Sequence, residues 1–444
     1  MQSNNNSTRK HSNLAIAIFI GFWLVVAIFA AISPFESVFG HTSETFFLIF
    51  LFVLIIAGTA FVWQFTPIFR ISEKQKTLKT MSADKMRFIL KFSTIGTFIG
   101  NAFILLDRIV FRGIDYSEGL RAARYQWLQS DISGSPISII GNLLIPFSYC
   151  ALLIGLYHWE SLRRSEKIIA LVAGFGGQIC FALINGGRSN LLIAIAFSVA
   201  VCVIRKYRGK SFFPRIRGKA ILAAIILYVL FRYLELIFFA FAENTDSYLQ
   251  VMALGLGVRV DSTYHGTAFL NLFLETCLYL IHGNYNIGAI LADGPQIIGF
   301  ADLNHNMTFR SLLSLLGRLP FFEYKMELPS FDSGMGAFIS LPGVLLYDYG
   351  FVGFFLVSLF LGILFGEVLK ILNSSAYSVG IGKTVFALAV LINIYLSMVT
   401  TAMNLGYFWF MVFALVAMEM ISRKKYGSSN WTETIKEDQN LSRG

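Results

Sequence analysis

Only four cysteines occur in the 444 residues of this chain. Cys150, Cys180 and Cys202 fall inside long apolar runs and only Cys277 is expected outside them, so no disulfide framework can be drawn. No Cys/His pair has zinc-site spacing. The glycine-rich signatures of nucleotide binding are missing as well, with neither a Gly-rich loop before Lys-Ser/Thr nor a Gly-x-Gly-x-x-Gly after a strand pattern. An Asp-x-Asp metal clamp is also missing, which argues against a soluble-type sugar-nucleotide transferase. No internal repeat is apparent. Charged residues make up only 14% of the chain.

The space left by charge is apolar. Hydrophobic residues account for 56%, with 44 phenylalanines, and mean hydropathy is +0.65. Runs of membrane-spanning length recur, which implies an all-α polytopic membrane protein. About ten spans are expected at 14–32, 46–66, 88–106, 137–157, 168–184, 190–204, 220–241, 351–369, 384–401 and 405–421. The first follows Arg9-Lys10 but exceeds a signal-peptide core and lacks a small-x-small cleavage site, so an anchor is expected. The chain thus divides into 1–241 (seven spans and an external segment, 107–134), a large loop at 242–350, three spans in 351–421, and a polar, disordered tail at 422–444.

Charge sets the orientation. With the N-terminus in the cytoplasm, 26 of the 36 Lys and Arg fall on the cytoplasmic side. They include Lys74, Lys76 and Lys79 in one loop, Arg163, Arg164 and Lys167 in another, and Arg423-Lys424-Lys425 after the last span. Both termini are therefore expected inside. The net charge of +10 then reflects topology and needs no nucleic-acid partner.

The opposite face is nearly lysine-free. Its cations are Arg108, Arg112, Arg121, Arg124, Arg188, Arg259, Arg310 and Arg318, against Lys325 alone. A solvated surface has no reason to reject lysine. A guanidinium fork is preferred where phosphate is gripped bidentately and partly desolvated. The expected ligand is a lipid-linked phosphate or pyrophosphate.

Asn185-Gly186-Gly187-Arg188-Ser189 joins two spans on this face. The glycines clear the approach to the backbone and to Arg188, and an arginine at membrane depth is a functional candidate. Snorkelling to headgroups is the plainer alternative. In 107–134, Asp115-Tyr116-Ser117-Glu118 resembles a capping box opening a short helix through Gln129. Arg121 and Arg124 share one face of that helix, beside Tyr125 and Trp127. It either binds substrate or rests on anionic headgroups.

The larger loop begins with an apolar stretch, 267–281, too short to span and expected as a buried or re-entrant helix. A glycine- and asparagine-rich passage at 284–306 reads as loop lining a cavity. Helix is expected at 312–318, ended by Pro320. Breaks follow at Ser333-Gly334-Met335-Gly336 and Leu341-Pro342-Gly343, before Asp348-Tyr349-Gly350 leads into a span. Asp332, His305 and His265 are the external candidates for a general base. Each has a structural alternative: turn residue, loop hydrogen-bonder and helix-start packing, respectively. Arg188, Arg310 and Arg318 suit a developing pyrophosphate charge, with Arg121, Arg124 and Arg259 as further substrate-binding candidates. Arg232 and Glu235 read as a structural pair within a span.

Asn-Gly-Gly-Arg-Ser between spans, Leu316-Gly317-Arg318-Leu319-Pro320, Asp332-Ser333-Gly334 and Asp348-Tyr349-Gly350-Phe351-Val352-Gly353, in this order, resemble the Wzy-type oligosaccharide repeat-unit polymerases, relatives of the O-antigen ligases. The resemblance covers the organisation of the whole chain through short motifs. It implies a C-type membrane glycosyltransferase fold and polymerisation of undecaprenyl-pyrophosphate-linked repeat units at the periplasmic face of the bacterial inner membrane. It also implies a lipid-linked donor and acceptor, and a chain-length regulator and flippase as companions. Arg188 resembles the family's pyrophosphate-binding arginine and Arg318 the second motif arginine. Asp332 stands where some relatives carry histidine. No cofactor or metal is expected, because arginines can neutralise the leaving group. The rival functions are an O-antigen ligase, which shares the donor, and a lipid-linked oligosaccharide flippase or transporter. The latter would favour paired repeats and mid-membrane polar groups.

Overall fold

In hydrocarbon the backbone has no partner but itself, so apolar runs of this length become helices. The computed structural model describes residues 13–66, 83–117, 123, 126–127, 135–185, 189–214, 245–293, 306–316, 338–373 and 381–426. Among them seven helices are long and apolar enough to cross a membrane. They are Leu14–Ile32, Thr42–Trp63, Asp84–Phe111, Pro136–Tyr157, Arg164–Asn185, Ser189–Tyr207 and Leu341–Asn373, with shorter apolar helices at Lys383–Leu396 and Gly406–Ile421. The protein is a mostly helical, polytopic membrane protein. The span expected at 220–241 lies outside the described residues.

In chain order the elements are α1 (Leu14–Ile32), β1 (Phe35–Ser37), α2 (Thr42–Trp63) and α3 (Ala83–Leu106), whose end widens into a π-turn at Asp107–Phe111. Then come α4 (Pro136–Leu144), α5 (Phe147–Tyr157), α6 (Arg164–Leu171), a second π-turn (Val172–Gly176), α7 (Gly177–Asn185) and α8 (Ser189–Tyr207). The remainder is α9 (Thr245–Leu254), β2 (Val258–Val260), α10 (Ala268–Tyr285), α11 (Ile287–Asp293), α12 (Arg310–Leu316), α13 (Leu341–Asn373), α14 (Ile381–Leu396) and α15 (Gly406–Tyr426). Two compact units interleave along the chain: 1–69, 215–373 and 390–406 form one, and 70–214, 374–389 and 407–444 the other.

The first unit is built on α2 against α13. A Cβ on Gly362 would meet the Thr59 side chain at 2.7 Å, and one on Gly366 would meet Trp63 at 2.7 Å. Two glycines four residues apart thus let the helix backbones approach closely, which drives association where lipid offers no hydrophobic contrast. Trp63 Nε1 donates to Glu367 at 2.6 Å and Lys370 donates to the same oxygen at 2.8 Å, closing one end of the pair. Aromatic edges fill the rest, with Trp23 on Phe52 and Phe19 on Phe365. Antiparallel β1 and β2 form a small ribbon that places Glu36 opposite Arg259.

Two expectations in this unit are corrected. Leu341-Pro342-Gly343 does not break the chain but begins α13, because proline near a helix start has no amide to lose. The break comes at Gly350, with φ 62 and ψ −171 inside the element. Likewise, 284–293 is largely helical rather than loop. Gly283 and the asparagines there serve close packing: a Cβ at Gly283 would meet the Ser340 amide nitrogen at 2.8 Å. Asn284 donates to Ile281 O and Met398 O, and Asn286 to Phe338 O. The expected span at 384–401 ends as helix at Leu396.

In the second unit Ile104, Ile145 and Phe181 form a core joined by Ile184 and Tyr407. Buried polar groups are spent on helix contacts: Asn101 donates to Gly177 O at 3.2 Å and Gln178 to Ser148 Oγ at 2.5 Å. Basic residues gather at one end. Arg87 pairs with Glu166 at 3.1 Å and Lys85 with Glu419 at 3.7 Å. Arg205, fully buried, donates to Leu156 O, Tyr157 O and Glu160. It therefore serves as the missing C-cap of α5. From Asp84 to Asp107 the helix rises roughly 35 Å at 1.5 Å per residue, enough to carry the other end across a hydrocarbon core of roughly 30 Å.

Candidate functional site

That other end holds the most unusual electrostatics of the second unit. The π-turn Asp107-Arg108-Ile109-Val110-Phe111 shifts side-chain directions at the close of α3. Asp107 and Arg108 turn inward, 0% and 4% exposed, while Ile109, Val110 and Phe111 stay exposed. Sequence drives the orientation: the two charges share the protein side and the three apolar residues face outward.

Asp107 serves two guanidiniums. Its Oδ2 lies 2.9 Å from Arg112 Nε and 4.0 Å from Arg108 Nη1, while Ser135 Oγ donates to Oδ1 at 2.5 Å. Arg108 Nη2 donates to Asn185 Oδ1 at 2.8 Å. The Asn185 amide is oriented by its own bond to Phe181 O, which turns the oxygen toward the arginine. The Trp127 ring lies 4.1 Å from the Arg108 guanidinium carbon. Tyr116 donates to Ile184 O at 2.8 Å, and burial raises its pKa against the opposing pull of Arg108. Nε and Nη1 of Arg108 are closed off from solvent and have no hydrogen-bond partner among the described residues. Two guanidinium nitrogens closed off in this way are costly unless they are compensated. An anion with several acceptor oxygens would satisfy both nitrogens.

Asn185 is also the first residue of the Asn-Gly-Gly-Arg-Ser turn. Gly186, Gly187 and Arg188 lie outside the described residues, as do Arg121, Arg124, His305, Arg318 and Asp332. The turn is nonetheless bracketed, because Asn185 ends α7 and Ser189 begins α8. The expected capping at Asp115 takes a different form. Its Oδ1 accepts from Ser117 N, while its own amide is met by the Gln126 side chain at 2.9 Å. Bonds from the Ser117 amide and the Ser117 side chain lower the Asp115 pKa.

Three sequence candidates are described in the first unit. Arg259 is exposed on β2, opposite Glu36, a cross-strand placement that stability alone accounts for. His265 is exposed in the turn before α10 and does not pack at the helix start. Arg310 is half-buried and opens α12, where the helix dipole gives a cation no help. The segment that leads into Arg310 is anchored by buried polar contacts. Asp348, fully buried beside the Gly350 kink, accepts from Met307 N at 2.9 Å, Thr308 N at 2.7 Å and Thr308 Oγ1 at 2.5 Å. Asn306 Oδ1 accepts from Phe309 N at 2.9 Å, and Ser311 Oγ donates to Asn404 O.

A polar stripe runs along α10. Asn271, Glu275 and His282 are 0%, 3% and 0% exposed. Asn271 Oδ1 accepts from the Tyr264 hydroxyl at 2.8 Å. The Phe338 amide donates to His282 Nε2 at 3.2 Å, so the proton sits on Nδ1, facing Tyr279 O at 2.8 Å. Burial pushes the His282 pKa down to about 4. Glu275 has no partner among the described residues, and burial alone pushes its carboxyl up to about 7.

Sequence reasoning missed Asp107, Asn185, Glu275 and the selection of Arg108 from among the outer arginines. The available signal was the adjacent Asp-Arg pair at the end of a span, with Asn185 inside the motif already singled out. Comparison with family models, with curated proteins and with solved structures finds no match for this chain.

Proposed function

We propose that this protein is a membrane glycosyltransferase that polymerises oligosaccharide repeat units carried on undecaprenyl pyrophosphate, at the extracytoplasmic face of the bacterial inner membrane. One observation carries the reading: Arg108, buried with Nε and Nη1 unsatisfied among the described residues, is held by Asp107 and by Asn185, the first residue of the Asn185-Gly186-Gly187-Arg188 sequence. In the transfer, an acceptor sugar hydroxyl gives up its proton and its oxygen bonds to the donor's anomeric carbon. The bond from that carbon to the pyrophosphate oxygen breaks, and the electron pair leaves with the pyrophosphate. Negative charge grows on the departing oxygen. Guanidiniums fixed in a low-dielectric setting stabilise that charge without reorganising. Arg108 and Arg188 would grip the pyrophosphate.

The test uses the purified full chain in lipid nanodiscs with undecaprenyl-pyrophosphate-linked repeat units and a chelator. A ladder of longer glycans is expected, slowed strongly by Arg108→Ala and by Arg188→Lys. Absence of any glycan transfer to a second lipid-linked unit would overturn the polymerase reading. Activity abolished by the chelator and restored by a divalent cation would overturn its metal-free form.

A further inference from the structure

At the end of the second unit where α3 begins, α5 turns into α6 and α8 closes, positive charge outruns the acids that could answer it. Every acidic residue described there is already paired. Glu160 lies 2.5 Å from Arg205, Glu166 3.1 Å from Arg87, Asp84 3.7 Å from Arg87 and Glu419 3.7 Å from Lys85. Lys210 is committed as well, donating to Tyr157 O at 2.7 Å with its Nζ 4.1 Å from the Tyr157 ring centre. Arg163, Arg164 and Lys206 differ. The two arginines are exposed and the lysine is half-buried, and none of the three side chains meets an acid or a hydrogen-bond acceptor among the described residues. Lys206 follows Arg205, whose guanidinium reaches Leu156 O, Tyr157 O and Glu160, so the end of α8 and the α5–α6 turn share one surface.

Local stability does not account for these cations. Arg163 and Arg164 stand at the start of α6, where the helix dipole disfavours positive charge. The one acid of that first turn, Glu166, accepts from the Arg163 amide at 2.8 Å and pairs with Arg87. Apolar side chains lie beside the cations in the open: Ile168 and Ile169 are 55% and 43% exposed, and Phe213, beyond Lys206, is 66% exposed. Exposed apolar residues next to uncommitted cations mark the level where hydrocarbon gives way to headgroups. A soluble polyanion would leave the apolar side chains in water, and a zwitterionic headgroup brings its own cation toward the arginines. An anionic phospholipid suits both halves of the surface.

We propose that Arg163, Arg164 and Lys206 form a docking surface for anionic phospholipid headgroups in the leaflet at this end of the protein. The guanidiniums and the ammonium take phosphodiester oxygens, while Ile168, Ile169 and Phe213 lie against acyl chains. Each such cation strengthens attachment by roughly fivefold. The surface is independent of the transfer reaction and stands or falls apart from it.

Trp159, in the turn between α5 and α6 with its ring centre 5.4 Å from Lys167 Nζ, is a built-in reporter. The full chain is placed in phosphatidylcholine nanodiscs that contain equal fractions of either brominated phosphatidylglycerol or brominated phosphatidylcholine. Quenching of Trp159 is the part of the signal absent from Trp159→Phe. Brominated phosphatidylglycerol is expected to quench it about twofold or more beyond brominated phosphatidylcholine. The excess should vanish when Arg163→Gln and Arg164→Gln are combined, and should shrink in Lys206→Gln. It should persist when inorganic phosphate replaces chloride at constant ionic strength. Equal quenching by the two lipids in wild type overturns the proposal without any variant, and so does an excess that survives the paired arginine substitution. Displacement by phosphate assigns the cations to a soluble anion and overturns it too. Should the paired substitution prevent folding, the wild-type comparison and Lys206→Gln decide.

Discussion

Arg108 concentrates the chemistry of the second unit into one side chain, so its replacement should be informative. Arg108→Lys keeps the charge but loses the fork between Asn185 and Asp107. It should weaken binding of a pyrophosphate lipid by about 1–3 kcal/mol, roughly five- to 150-fold. Trp127, 4.1 Å away, supplies the readout: its emission should shift when the lipid binds, and should not in Trp127→Phe. Wild-type affinity in Arg108→Lys would remove Arg108 from the binding reading. Two neighbouring residues of α10 make opposing contributions to stability. Glu275, raised from 4.5 to about 7, contributes stability that is full below pH 4.5 and lost as pH rises to about 7. His282, lowered from 6.5 to about 4, contributes stability that is full above pH 6.5 and lost as pH falls toward 4. Between 4.5 and 6.5 they offset each other. Glu275→Gln should therefore steepen the loss of thermal stability on acidification through that window, and an unchanged slope would contradict the burial of one or the other. None of this was legible in sequence. The Arg108–Asn185 bond joins residues 77 apart, and burial of Glu275 depends on packing that no local pattern carries.

At the scale of elements, the kink in α13 does two things. Gly350, at φ 62 and ψ −171, occupies backbone space essentially reserved for glycine. The turn it makes presents Asp348 to the amides of Met307 and Thr308. Gly350→Ala should cost about 1–3 kcal/mol. Asp348→Asn replaces one acceptor oxygen with a donor facing donors, so amide hydrogen exchange across 306–316 should accelerate while α2 and the rest of α13 stay protected. Unchanged exchange there would mean that Asp348 does not hold the Arg310 segment. The spans were legible because 18 or more apolar residues have few alternatives. The start of α13 was misread because proline and glycine, taken as breakers, sit where a helix accepts the one and a close neighbour demands the other. For Gly343 that neighbour is Ile339, whose Cγ2 would lie 2.6 Å from an added Cβ.

For the whole molecule the charge pattern gives a direct prediction. Cysteines introduced at Gly187 and Gly294 should react with an impermeant thiol reagent from outside intact cells. Those at Lys79, Lys210 and Lys424 should react only after permeabilisation. A cytoplasmic position 294 would place the external loop in the wrong compartment and end the mechanistic reading. Mostly helical, polytopic character was legible in composition and apolar runs, but the grouping of helices was not. The first unit joins residues 1–69 to 215–373 and 390–406, and hydropathy says nothing about such pairing.

That interleaving has a consequence for biosynthesis. The glycine face of α13 that receives Thr59 and Trp63 is translated long after they are. Between Trp63 and Leu341 the ribosome adds 278 residues (341 − 63). At about 5–20 residues per second, α1 and α2 wait roughly 15–60 s for their partner. During that interval Trp63 lacks Glu367, and the surface that will meet glycine faces lipid or an insertion factor. The nascent chain must therefore hold an unfinished hairpin in the bilayer while the 70–214 segment of the other unit is laid down, and synthesis order sets a waiting time that the finished fold no longer displays.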